Sequence, residues 1–140
     1  MVPSIVAWLC KAVPVTVSSA NGAKALVVLV VEDEFFVRDD IATFLRDAGY
    51  VVVEGASGGE AIALCCKSAA MIDVVLTDIN LGGSTSGWDV AECFRIERPD
   101  IPVLYISGDR IDFERCVPGS MFVAKPLNHE DILSACRRLA

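Results

Sequence analysis

The sequence predicts an α/β fold with an all-parallel, doubly wound sheet, and three observations carry that prediction. From Ala25 onward, short β-branched runs alternate with segments of helical spacing. The runs are continuously apolar rather than alternating, as in strands covered on both faces. A charged or hydroxyl residue stands immediately after four of them: Glu32-Asp33 after LVVLVV, Asp78 after DVVLT, Ser107 after PVLYI and Lys125-Pro126 after MFVA. In an open parallel sheet, the positions just past the strands' carboxyl ends converge on one crevice.

Each element has its own warrant. Leu26 to Val31 is the first strand. Val37, Ile41, Phe44, Leu45 and Ala48 then follow helical spacing, and Gly49 supplies the stop. Val51 to Val53 is a second strand, and Ser57 with Gly58-Gly59 leads into a helix around Glu60 to Lys67. Val74 to Thr77 is the third strand, and Trp88 to Glu97 a helix that ends before Pro99. Pro102 to Ile106 and Met121 to Ala124 are the last two strands, and Asn128 caps a final helix reaching Leu139. Between those strands the spacing leaves room only for a short fourth helix, around Ile111 to Cys116, stopped by Pro118. Five βα units force right-handed crossovers with helices on both faces. The small doubly wound order is the flavodoxin-like 2-1-3-4-5, which sets the first and third strands side by side at the switch point. Glu32-Asp33 and Asp78 are then neighbours.

Bulk properties narrow the function. At 140 residues the chain is one domain, with 54% apolar residues to build its core. A net charge of −7 argues against a nucleic-acid surface, since no basic stripe exists and Arg137-Arg138 is an ordinary basic helix end. The six cysteines, Cys10, Cys65, Cys66, Cys93, Cys116 and Cys136, fall at no metal-ligand spacing. They read as free thiols in a reducing cytoplasm, with Cys65 and Cys66 on different faces of a helix. Residues 1–24 form an apolar arm and linker of unassigned role, interrupted by Lys11 and flanked by Pro3 and Pro14. The arm falls short of the roughly 18 apolar residues of a membrane span and lacks the basic n-region of a signal peptide.

Three carboxylates gathered at one crevice repel unless something neutralises them. Carboxylate and carbonyl oxygens suit Mg²⁺, which keeps several waters and holds phosphate oxygens. An Asp side chain can accept a phosphoryl group as an acyl phosphate, a lysine offers a mobile point charge to its oxygens, and a serine hydroxyl can donate to one of them. Taken singly, the same residues have plainer readings. Glu32-Asp33 could cap the next helix, Asp78 and Ser107-Gly108 could be loop and turn residues, and Lys125-Pro126 could end a strand. Four such groups at four strand ends of one sheet point to a shared site.

The motifs VVEDE at 30–34, LTDINL at 76–81, YISGD at 105–109 and AKPL at 124–127 resemble those of the receiver domain of two-component response regulators, over about Ala25 to Leu139. The resemblance implies that residues 25–140 are a receiver, with Asp78 the phosphoacceptor and Mg²⁺ held by Glu32, Asp33, Asp78 and the backbone carbonyl of Asn80. Asp33 and Asp78 would bind the metal directly and Glu32 through water. It further implies that Lys125 pairs with the phosphoryl group, next to a cis bond to Pro126. Ser107 would be the switch hydroxyl and Phe122 the switch aromatic, while Asn80 and Asp109 would tune hydrolysis of the acyl phosphate. The loop LGGSTS after the acceptor is slightly long, and Ser107 and Lys125 are only 18 residues apart, short for the family.

The reading is therefore a stand-alone, cytoplasmic phosphorylation switch rather than a conventional enzyme. Its phosphodonor would be a histidine kinase or a histidine phosphotransfer protein, and its output protein contact through the last two helices and the fifth strand. A homodimer is left open. Alternatives are a phosphorylation-independent interaction module, a receiver cut from a hybrid kinase, and a phosphatase of the haloacid-dehalogenase type. The phosphatase would want a second Asp where Asn80 stands. His129 reads as a surface residue, and Trp8 and Trp88 as packing residues.

Overall fold

The structure is a computed structural model and describes residues 24–109 and 111–139. The arm assigned to residues 1–24, with Trp8 and Cys10, lies outside the described residues except for Lys24. In chain order the elements are β1 (Val27–Val31), α1 (Phe35–Asp47), β2 (Val51–Gly55), α2 (Gly58–Ser68), β3 (Val74–Asp78), α3 (Gly87–Glu97), β4 (Val103–Ser107), β5 (Met121–Ala124) and α4 (His129–Leu139). A short 3₁₀ turn, Ala69–Met71, follows α2. The sheet order is β2-β1-β3-β4-β5, every pair parallel, as the strand signals require.

Successive strand residues point to opposite faces of a sheet, and here they feed two cores. On one face Val28, Val30, Leu76 and Leu104 meet Ile41 and Leu45 of α1 and Ile132, Cys136 and Leu139 of α4. On the other, Leu29, Val31, Val75, Val103 and Tyr105 meet Ala61 and Cys65 of α2 and Val90, Ala91 and Phe94 of α3. All five residues of β3 and of β4 are buried. Each such leucine, isoleucine or phenylalanine contributes about 1.5–3 kcal/mol by leaving water. The sheet is thus held rigid from both sides, which fixes the positions of its strand ends.

The helices start on side-chain caps. Glu34 accepts from Val37 N at 2.9 Å, Ser57 from Glu60 N at 3.1 Å, and Asn128 from Glu130 N at 2.7 Å. Ser86 and Asp89 form a reciprocal capping box at the start of α3. Gly49, at φ +102°, ends α1 in the left-handed region that disfavours a side chain.

One expectation fails. Ile111 to Cys116 form no helix; the β4–β5 crossover is built of hydrogen-bonded turns, from Arg115 N to Asp112 O (2.9 Å) and Cys116 N to Phe113 O (3.3 Å). Two contacts, one local and one tertiary, compete with helix propagation. The Asp112 carboxylate takes Glu114 N at 3.0 Å, and the buried Tyr105 hydroxyl accepts from Val117 N at 3.1 Å, pinning the crossover just before Pro118. A helix of one turn must bear the full nucleation cost with almost no propagation to offset it.

Among the described residues, no helix is long and apolar enough to cross a membrane.

Candidate functional site

The four strand ends do converge. Parallel pairing places Val31 opposite Thr77, Asp78 opposite Ile106, and Ser107 opposite Ala124. Glu32, Asp78, Ser107 and Lys125 therefore stand at the carboxyl ends of β1, β3, β4 and β5. One oxygen each from Glu32, Asp33 and Asp78 lies within 4.8 Å of the others. Lys125 Nζ reaches across the crevice to Asp78 Oδ2 at 2.8 Å and Glu32 Oε2 at 3.0 Å. The Lys125–Pro126 peptide is cis, and Lys125 N donates to Ser107 O at 2.9 Å.

Electrostatics distinguish the three acids. The Glu32 side chain is fully buried; that burial, followed by its hydrogen bond with Asp78, raises it from 4.5 to about 7, with Lys125 opposing. Burial pushes the Lys125 ammonium down, but its hydrogen bonds to Asp78 and Glu32 outweigh burial, and its pKa is raised. Asp33 faces solvent. Glu32 Oε1 is the one buried side-chain polar atom without a partner among the described residues. Such an atom is costly unless something completes its shell. Hard oxygen donors in a clustered acidic crevice, one of them orphaned, fit a hard divalent cation.

The plainer helix-cap reading belongs to a different residue. Glu34 caps α1, which leaves Glu32 and Asp33 to the crevice. The Ser107 hydroxyl is buried and turned toward Asp109, accepting from Asp109 N at 3.0 Å. Asn80 Nδ2 donates to Asp109 Oδ2 at 2.9 Å, so the two residues expected to tune hydrolysis touch each other beside Asp78. Asn80 N also points at Asp78 Oδ1, at 3.3 Å. Phe122 is half-buried against the second core and lines a cavity of about 230 Å³ with Phe113, Val117 and Met121.

Several supports carried no separate sequence signal. Thr77 Oγ1 donates to Asp78 O at 2.8 Å, and Arg38 donates to Glu32 O at 2.9 Å, so both acids have tethered backbones. Two glycines that follow Asp78 have steric reasons to be there. A Cβ on Gly82, at φ +77°, would sit 2.9 Å from Asp33 Oδ2, and one on Gly87 would collide with Asp78 O. His129 is more than a surface residue: it stacks on Phe44 at 4.3 Å and its Nε2 lies 2.8 Å from Asp40 Oδ2, bracing α4 against α1. Trp88 packs on Tyr105 at 5.1 Å, as a core residue should.

Fold and crevice together define a class: flavodoxin-like α/β domains with an acidic, lysine-bridged cleft at the switch point. The profile of the response regulator receiver domain matches residues 28–137, and the chain belongs to that family of two-component signalling domains. Among solved structures, a response regulator receiver protein from Sinorhizobium medicae is 34% identical, with a TM-score of 0.77 over 83% of this chain and 94% of that one. The chemotaxis protein CheY4 of Vibrio cholerae is 26% identical, with a TM-score of 0.74 over 84% of this chain and 100% of that one. Among curated proteins, the probable transcriptional regulatory protein TcrX of Mycobacterium tuberculosis is 31% identical over 80% of this chain and 48% of its own length. The sensor kinase CckA of Brucella abortus is 30% identical over 80% of this chain but only 12% of its own length. The chain thus spans about half, or less, of the length of these curated relatives.

Proposed function

We propose that this domain is a Mg²⁺-dependent phosphorylation switch whose acceptor is Asp78. The observation that carries the proposal is the Lys125 ammonium shared between Asp78 Oδ2 and buried Glu32 Oε2, beside an unpartnered Glu32 Oε1. Glu32, Asp33, Asp78 and the Asn80 carbonyl would hold the cation. When bound, it neutralises charge on phosphoryl oxygens, as divalent ions do in phosphoryl transfer.

The chain's own groups do the rest. An Asp78 carboxylate oxygen forms a bond to phosphorus as the bond from phosphorus to a donor imidazole nitrogen breaks, giving an acyl phosphate and a free histidine on the donor. Lys125 has a flexible stem and moves its ammonium from the carboxylates to a phosphoryl oxygen. Ser107 gives up its turn contact with Asp109 and donates a hydrogen bond from its hydroxyl to another phosphoryl oxygen. Phe122 follows into the space that this leaves. The net effect is a two-state shift driven by charge added at Asp78. Water later hydrolyses the acyl phosphate past Asn80 and Asp109. The domain takes up one phosphoryl group per molecule and is not a turnover catalyst.

A histidine kinase or histidine phosphotransfer protein in the cytoplasm is the donor on this reading. The readout is contact with a protein partner through α4, β5 and the crossover. Intact mass after incubation with acetyl phosphate, with and without Mg²⁺, tests the reading. The expected result is one phosphoryl group per chain, absent in Asp78→Asn and absent in chelator. If phosphotransfer from a kinase also left the mass unchanged, the reading would give way to a phosphorylation-independent module. Repeated turnover of phosphate esters would favour a phosphatase.

A further inference from the structure

Outside the crevice, the second core contains a pair of thiols that phosphotransfer does not use. Cys65 on α2 and Cys93 on α3 hold their Sγ atoms 3.3 Å apart. A disulfide needs about 2.05 Å, so the sulfurs have about 1.2 Å to close. Both helices carry small residues at their contact with this core, Ala61 and Ala91, which leaves little bulk to resist a small approach. The two sulfurs differ in access. Cys65 is 2% exposed, and burial, reinforced by the contact with Cys93, pushes its thiol from 9.0 up to about 12. Cys93 is half-buried, the less covered residue of the two. Cys66, next in sequence, faces away from the pair into solvent.

We propose that Cys65 and Cys93 are a reversible redox pair, oxidised by exchange with a small-molecule disulfide to an intramolecular disulfide that ties α2 to α3. Cys93, as thiolate, attacks one sulfur of the small disulfide and expels the other as a thiolate, which takes up the proton Cys93 lost. Cys65 then attacks the Cys93 sulfur of the mixed disulfide and expels the second small thiol, whose proton comes from Cys65. Two protein thiols are oxidised and one small disulfide is reduced to two thiols, so atoms and electrons balance. Exchange enters at Cys93 because a buried, high-pKa thiol is a poor first nucleophile. It finishes at Cys65 because that sulfur is already in contact.

The test uses the full chain, reduced, desalted and incubated natively with oxidised glutathione, then acid-quenched, alkylated and digested with trypsin. Cys65 and Cys66 share a tryptic peptide, so the decisive sample is Cys66→Ser, a change at an exposed position. The expected result there is a cross-linked peptide joining Cys65 to Cys93, a loss of two alkylatable thiols, and full reversal by a phosphine reductant. In Cys93→Ser the cross-link should vanish. The proposal is overturned if Cys66→Ser yields only glutathione adducts with Cys65 still alkylatable after unfolding. It is equally overturned if Cys65 cross-links to Cys116 or Cys136, or if the link in the unsubstituted chain disappears with Cys66→Ser.

Discussion

Replacing Lys125 with methionine should be costly even in the absence of any divalent cation. The substitution keeps most of the stem and removes only the charge that sits 2.8 Å from Asp78 Oδ2 and 3.0 Å from Glu32 Oε2. What remains is a pair of carboxylates with side-chain exposures of 1% and 7%. Breaking a buried pair by removing one partner costs about 3–5 kcal/mol, most of it the stranded charge. Two features hold the figure near the lower end. The Lys125 side chain is 29% exposed, so solvent already screens part of its field, and Glu32, raised to about 7, can take a proton and relieve the repulsion. We expect a loss of about 3 kcal/mol, or a fall in Tm of about 10 °C for a domain of this size. Urea unfolding followed by circular dichroism in chelator measures it, with Lys67→Met at an exposed helix position as the control. A loss under about 1 kcal/mol, the value of a surface ion pair, would refute the claim that this lysine neutralises a buried acidic site.

Two further outcomes follow from packing and from ionisation. Gly87→Ala should destabilise by at least about 2 kcal/mol, because its methyl group would meet Asp78 O and lie 2.8 Å from Ile79 Cα. Gly83→Ala, with nothing within 4 Å, should stay within about 0.5 kcal/mol in the same thermal melts. At high pH the domain should lose stability steeply. Burial raises Tyr50 and Tyr105 from 10.0 to about 12, and Cys136 from 9.0 to about 12, so the unfolded chain ionises first. Their contribution is complete below about pH 9 and is lost as pH climbs toward 12, about 3 kcal/mol for each tyrosine at about 1.4 kcal/mol per unit. Tm against pH, read beside tyrosinate absorbance, checks this; a flat Tm through that range would sink the argument.

The parts of this molecule that could be read in advance are those where one physical rule dominates. Runs such as Leu26–Val31 are apolar throughout, and buried from Val28 on, and strands ended by Glu32, Asp78, Ser107 and Lys125 needed only topology to bring their ends together. The crossover resisted for the opposite reason: Ile111 to Cys116 is too short for periodicity to decide. Its outcome hangs on a tertiary contact, from Val117 N to the hydroxyl of Tyr105, a residue 12 positions away. The glycines after Asp78 carried no sequence sign of their purpose; Gly82 and Gly87 leave room for Asp33 and the Asp78 carbonyl. The contact between Cys65 and Cys93 was equally out of reach, because residues 28 positions apart meet only once α2 and α3 pack.

The turn-built crossover also separates what this domain must keep from what it can change. The acids and the lysine are fixed by a sheet packed on both faces, whereas residues 111–120 are tied to that sheet chiefly through Val117, which packs in the second core and donates its N–H to the Tyr105 hydroxyl. A loop lengthens at little thermodynamic expense, since each doubling adds only about 0.6 kcal/mol of closure entropy, while a packed helix must fit its neighbours along its whole face. The surface beside Phe122 can therefore be rebuilt residue by residue while Glu32, Asp78, Ser107 and Lys125 keep their places at the strand ends.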